Sequence, residues 1–363
     1  MGGFKLPSIN FNLPAILKGQ KLSVGLDIGS HAVKICELAA TSTGYKVLSV
    51  GSARLPENAV EDGVLQDPAA VAKVISTLIG NLKLRGKKVA ISISGYSVIV
   101  KKINLNVMTE SELERHIDEE AEQYIPFDKD DVYQDFQDLH TNTAEEDRTD
   151  VMLVAAKKDV VDAYLDMLRN VGLKTVIVDV DAFALENAYE ANFGQAENVA
   201  LVDIGASKMN INIISKGASI LARDVILGSR LLTEQIQNRL DIPYEDAEAL
   251  KIGIIPPGDK HEILEEIFVN ICTQWVTEIK RALDFYSSNY PDEPVSKLVL
   301  SGGGAKVKGL CDFFHKETGI NVEVFNPFSG TSSDPNKIDA EYLKNLAPEM
   351  ALSSGLATRP VAI

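Results

Sequence analysis

The chain has 363 residues, 45% of them hydrophobic, and a formal net charge of −16. That length and apolar content can bury two substantial cores or one large two-lobed core, which excludes a disordered or fibrous chain. The negative charge argues against nucleic acid as a partner, because phosphate binding needs a cationic footprint. Three widely separated cysteines, Cys36, Cys272 and Cys311, encode neither a disulfide framework nor a zinc site, so a reducing, cytoplasmic compartment is expected. No apolar run reaches the roughly 18 residues of a membrane-spanning helix, and no signal-peptide layout opens the chain.

Residues 1–21 are apolar but broken by Pro7 and Pro14, and read as a flexible arm; partner docking or weak membrane contact is the other reading. Three β-rich runs follow between Leu22 and Leu55, LSVGLDI, AVKICEL and YKVLSVGSARL, separated by Gly29-Ser30 and Thr41-Ser42-Thr43-Gly44, which predicts a meander. Asp67-Pro68 then opens a helix with Val71, Val74, Ile75, Leu78 and Ile79 at helical spacing, followed by a strand over 88–94. Residues 96–157 interrupt the pattern with strand, helix, strand, strand. Helix 158–171, strand 174–179 and helix 181–191 complete the half.

The second half has β-runs over 199–204, 209–215 and 218–226, then helices, strand 297–301, helix 306–317, strand 321–325 and a last helix near 348–357. The order βββαβαβα therefore occurs twice, each half a mixed sheet covered by helices, with a cleft between the halves where α/β proteins bind ligands. In the second-half helices, Ile263, Ile267, Ile271, Trp275 and Ile279 at i,i+4 spacing predict a buried stripe. His116, His140, His261 and His315 have no spaced partner and read as surface groups.

One sharp match supports the duplication: VGLDIGS from Val24 and ALVDIGAS from Ala200 each place Asp-Ile-Gly at the end of a first strand. Gly29 and Gly205 let backbone amides approach phosphate oxygens, and Asp27 and Asp203 would face each other across the cleft. Two carboxylates beside a polyphosphate require a hard cation, and Mg²⁺ meets that need. In LVLSGGGAKVKGL, a strand runs into Gly302, Gly303 and Gly304, leaving backbone exposed where a purine or ribose could lie.

These residues resemble the actin superfamily of ATP-binding proteins. The match of Asp27, Ser30 and Lys34 to its first phosphate motif implies that Ser30, His31 and the neighbouring amides contact phosphate, and that Lys34 bonds it as a point charge. Gly205, Ala206 and Ser207 fall on the second phosphate motif, and Gly302, Gly303 and Gly304 on the adenosine motif. Glu248 and Lys251 resemble the pair that reaches ribose and adenine; a plain surface ion pair is the alternative. The cofactors implied are ATP and Mg²⁺. In active relatives the second motif reads Asp-x-Gly-Gly-Gly-Thr-x-Asp, whereas here Ala206, Ser207, Lys208 and Asn210 follow Asp203-Ile204-Gly205. Loss of the hydroxyl and the acid implies slow hydrolysis at most.

The interruption at 96–157 lies where FtsA and the PilM family of pilus-assembly proteins carry an inserted subdomain. The runs Glu119–Phe127 and Glu278–Tyr286 are similar to PilM. The expected fold is α/β and actin-like: first lobe 22–95 and 158–195, insert 96–157, second lobe 196–227 and 291–345 with an upper subdomain at 228–290, and a C-terminal helix, 346–363, returning to the first lobe. The resemblance implies a scaffold recruited to the cytoplasmic face of the inner membrane by the N-terminal peptide of PilN, with other pilus machinery components and self-association as further contacts. An FtsA- or MreB-like filament and a small-molecule kinase stay open. Sixteen acidic residues against three basic ones between Glu110 and Asp150 read either as a solvated face or as a surface for a basic partner. Tyr124, Ile125 and Phe127 are the candidate partner-binding residues; packing of the insert against the lobe is the competing reading.

Overall fold

A computed structural model describes residues 23–139, 147–195 and 197–359. The arm at 1–21, His140 and the last four residues lie outside the described residues.

Two sheets form the two lobes, and their strand orders coincide. In the first, Gly44–Arg54, Ala32–Thr41, Ser23–Ile28, Lys88–Ile93 and Lys174–Val180 lie side by side; in the second, Ala218–Val225, Met209–Ser215, Val199–Ile204, Lys297–Ser301 and Asn321–Val324 do the same. Each is an antiparallel meander whose first strand pairs in parallel with the fourth, and the fourth with the fifth. The duplication read from two tripeptides extends to whole sheets.

Local chemistry starts the first helix as expected. Asp67 caps the helix Pro68–Leu82 by accepting the amide of Ala70 at 2.9 Å, and Val71, Ile75 and Leu78 bury its inner face. The stripe of the long helix His261–Asn289 is buried at Ile267, Ile271, Trp275 and Ile279, with Ile263 packed beside them in the second-lobe core. Helix 306–317 needs correction. A 3-10 turn spans Gly303–Lys306 and the helix runs Leu310–Thr318, because Gly309 sits at φ 84° and breaks the path between them.

The chain also returns to the first lobe earlier than residue 346. Thr331–Ser333 adds a sixth strand in parallel to Gly44–Arg54, and Phe328, Ile338, Leu346 and Met350 pack on Cys36, Leu38, Val47 and Val50. The last helix, Ala351–Thr358, then wedges between Ser23–Ile28 and Asp181–Phe193. A Cβ at Gly355 would stand 1.7 Å from the Ala184 carbonyl oxygen, so only glycine allows that approach.

The insert folds as expected, with Val98–Asn106 and Val132–Asp138 flanking Arg148–Lys157 and the helix Glu110–Tyr124 on one face. Ile125 is only 4% exposed and belongs to the insert's own core, so in this state it is not presented to a partner. Tyr124 and Phe127 are half-buried against that core, with the ammonium groups of Lys101 and Lys157 over their rings. Packing within the insert accounts for all three. No helix among the described residues is long and apolar enough to cross a membrane.

Candidate functional site

The duplicated hairpins meet at one cavity of about 370 Å³ between the lobes. In each, a glycine amide closes a two-residue tip: Gly29 donates to the Ala32 carbonyl at 3.1 Å, and Gly205 to the Lys208 carbonyl at 2.9 Å. The carbonyls of His31, Gly205 and Ala206 are tied back by the amides of Leu55, Ser229 and Arg230. Ser30, His31, Ala206 and Ser207, at the two tips, all line the cavity.

Strand register decides what stands behind the tips. Asp27 pairs across its hairpin with Lys34, and Asp203 across its own with Asn210. Lys34 Nζ therefore lies 3.0 Å from Asp27 Oδ2. Burial works against the Lys34 ammonium, yet Asp27 and its hydrogen bond outweigh it and hold the pKa above the usual lysine value. Burial raises Asp27, with Lys34 opposing. Asp203 accepts the Ser301 hydroxyl at 2.8 Å, and burial pushes its carboxyl up to about 6. Both carboxylates line the one cavity, and the charge of Asp27 adds to the rise at Asp203. Burial and nearby Arg54 lower the pKa of His31, which keeps its ring neutral at pH 7.

Glu248 and Lys251 line the opposite wall. Their ion pair is 2.7 Å long, and Lys251 also donates to the Thr233 hydroxyl at 2.9 Å. Lys251 is 6% exposed, which excludes an ordinary surface pair; burial lowers its pKa, with Glu248 opposing. Gly302 and Gly303 line the cavity, whereas Gly304 does not: a Cβ there would fall 2.3 Å from Ile204 Cγ2, so its role is packing of the turn on the second-lobe sheet.

Sequence reasoning missed several residues that the fold brings to this cavity. Lys208 crosses from the second hairpin to the first lobe and pairs with Asp181 at 3.0 Å, and Lys306 pairs with Glu349. Burial disfavours the Asp181 carboxylate, but Lys208 and the Ser94 hydroxyl more than compensate and its pKa is lowered. Asp181 had one usable signal, its position where a parallel strand runs into a helix. A second cavity, about 320 Å³, adjoins the first and lies between the first strand of the insert and Ala218–Val225.

A solved PilM-PilN type IV pilus biogenesis complex is similar over 94% of this chain and 99% of that chain, with a TM-score of 0.82 and 27% identity. The ethanolamine utilization protein EutJ from Carboxydothermus hydrogenoformans (94% of this chain, 90% of that one, TM-score 0.57, 16% identity) shares the fold. So does an MreB of Spiroplasma citri bound to AMPPNP (92% and 94%, TM-score 0.53, 10% identity). The model of the family described as type IV pilus assembly protein PilM matches residues 25–361, and the chain belongs to that family.

Proposed function

We propose that this chain is a nucleotide-binding scaffold of type IV pilus assembly, with Mg-ATP in its cleft and the N-terminal peptide of a PilN-like membrane partner beside its insert. The observation that carries the nucleotide half is the charge of the cavity. In a chain of net charge −16, six Lys or Arg residues against five Asp or Glu residues line it, and both hairpin tips converge there. Lys34 and the tip amides would hold phosphate, Glu248 and Lys251 the ribose or adenine, and Gly302 and Gly303 the adenosine face. No cluster of three or more metal-ligating side chains occurs among the described residues. Asp27 and Asp203, which both line the cavity, would hold Mg²⁺, an ion that keeps waters and takes phosphate oxygens instead of a full protein cage. When bound, the ion supplies charge neutralisation. With Lys208 and Asn210 where active relatives carry a hydroxyl and an acid, binding outlasts turnover.

For the partner half, membership in the PilM family favours pilus assembly over the filament and kinase alternatives. The second cavity suits an extended peptide with apolar anchors and a basic flank: Val98, Val100 and Ile226 line it together with Asp62 and Asp224, and Tyr96 on its rim is 73% exposed. A bitopic partner held there would keep the chain at the cytoplasmic face of the inner membrane. Titrating a labelled N-terminal PilN peptide tests this directly. Tyr96→Ala should weaken binding at least about tenfold, as loss of an aromatic anchor does, and replacing 96–157 by a short linker should abolish it. Equal affinity for all three proteins would remove the insert and its groove from the docking site.

A further inference from the structure

Lys208 lines both cavities, as do Ser94, Asp181 and Asn210, and it links them through polar contacts. It stands one position before the strand Met209–Ser215, at the tip of the second hairpin. Its ammonium crosses the cleft to bond the Ser94 hydroxyl and Asp181 Oδ2, the latter at 3.0 Å, while Asp224 Oδ2 lies 3.7 Å away. Asp224 in turn accepts the Asn210 side-chain amide at 2.8 Å and the backbone N–H of Gly95 at 2.7 Å. Gly95, at φ 91°, is where the chain leaves the first-lobe strand Lys88–Ile93 and enters the insert, and a Cβ there would meet the Asp62 carbonyl oxygen at 2.4 Å. The hinge of the insert is thus fastened by a second-lobe carboxylate that a cleft lysine also faces.

We propose that Lys208 distinguishes a nucleoside triphosphate from a diphosphate by bonding the terminal phosphate, and that its departure from Asp224 loosens the hinge at Gly95 and so changes peptide affinity at the second cavity. This rests on the nucleotide reading of the cleft given above. The physical basis is competition for one ammonium. Lys208 has three donors; its present acceptors are the Ser94 hydroxyl and the Asp181 carboxylate, with the Asp224 carboxylate an ion-pair partner at 3.7 Å. The third, γ-phosphate carries more charge and more acceptor oxygens than either partner, and Lys208 stands beside the tip residues Ala206 and Ser207 that line the cavity with it. A ligand shifts such an equilibrium only by its differential contact with the two states, and a diphosphate lacks the group that Lys208 would reach. One charge-assisted bond gained by the triphosphate alone corresponds to about tenfold or more in relative affinity.

The test uses the full chain and three variants, Lys208→Met, Lys208→Arg and Asp224→Ala. Calorimetry gives affinities for Mg-ATP and Mg-ADP, and hydrogen exchange reads the Gly95 amide in each nucleotide state, with melting curves checking that every variant folds. In the wild type the Gly95 amide should exchange faster with Mg-ATP than with Mg-ADP. Lys208→Met should reduce the ATP-over-ADP preference about tenfold and make Gly95 exchange equal in the two states, and Lys208→Arg should restore both. Asp224→Ala should keep the preference and lose the exchange difference, which separates phosphate reading from its transmission. An unchanged preference in Lys208→Met, or identical Gly95 exchange in wild type with ATP and ADP, overturns the role of Lys208 while leaving the nucleotide site intact. Failure of the wild type to bind either nucleotide overturns the reading of the cleft and this proposal with it.

Discussion

Replacing Asp203 by Asn removes one ionisable group and keeps an oxygen for the Ser301 hydroxyl, which donates to Asp203 Oδ2 at 2.8 Å. Burial pushes the Asp203 carboxyl from 3.8 up to about 6, with the Ser301 bond and Lys34 opposing and the Asp27 carboxylate adding to it. Between those values the unfolded chain has lost a proton that the folded chain still holds. Stability therefore falls as pH rises through that window and stays lowered above it. Two pKa units at 1.36 kcal/mol each amount to about 3 kcal/mol. Asn carries no such cost, so Asp203→Asn should exceed the wild type by about 3 kcal/mol near pH 8, shrinking to about 1 kcal/mol near pH 4.5. Urea unfolding at the two pH values measures the difference. The same substitution should abolish stabilisation by Mg-ATP, a gain in stability bought with function. A variant less stable than wild type near pH 8, or a difference that ignores pH, would refute the reasoning.

Other substitutions probe the walls of the cleft. Lys251→Met replaces a buried ammonium by an apolar chain of similar length; with Glu248 half-exposed, stability should change by less than about 1 kcal/mol while Mg-ATP affinity drops about tenfold by calorimetry. Gly302→Ala forces a Cβ to within 2.4 Å of the Ile204 carbonyl oxygen at φ 79° and should cost about 3 kcal/mol in unfolding experiments. Gly303→Ala, with nothing within 4 Å of the new carbon, should stay within about 0.5 kcal/mol of wild type, so any loss of nucleotide binding there reflects the site and not the fold. Steady-state ATP hydrolysis should lie far below about 10 per second; a rate near that value, lost in Asp203→Ala, would mean that Lys208 and Asn210 do not impair turnover.

Local pattern made most of this architecture legible. The seven-residue spacing of Asp27 and Lys34 is a hairpin register, and that register alone brings ammonium and carboxylate together. The repeated Asp-Ile-Gly announced a second sheet of the same strand order because both sequence and topology repeat. What periodicity does not encode is which surface an apolar residue finds. Phe328 and Ile338 look alike whether they cover the second lobe or, as they do, the first. Ile125 stands beside a proline after an acidic helix and suggests an exposed anchor, yet it completes the insert's core. Lys208 and Asp181 are 27 residues apart with no shared motif, and only the closing of two lobes on each other makes them a pair.

Thermal melting with and without Mg-ATP tests the central claim, that the duplicated hairpins form a nucleotide site, most directly. Ligand at about 100 times its dissociation constant adds about 2.7 kcal/mol to the folded state, a shift of several degrees for a domain of this size. The wild type and His315→Ala, altered at an exposed histidine whose Nδ1 lies 2.8 Å from the Ile320 carbonyl oxygen, should show the full shift. Asp27→Ala and Lys34→Ala should lose most of it, because the pair lies side by side behind the first hairpin tip. A wild-type melting curve unmoved by millimolar Mg-ATP would contradict the account.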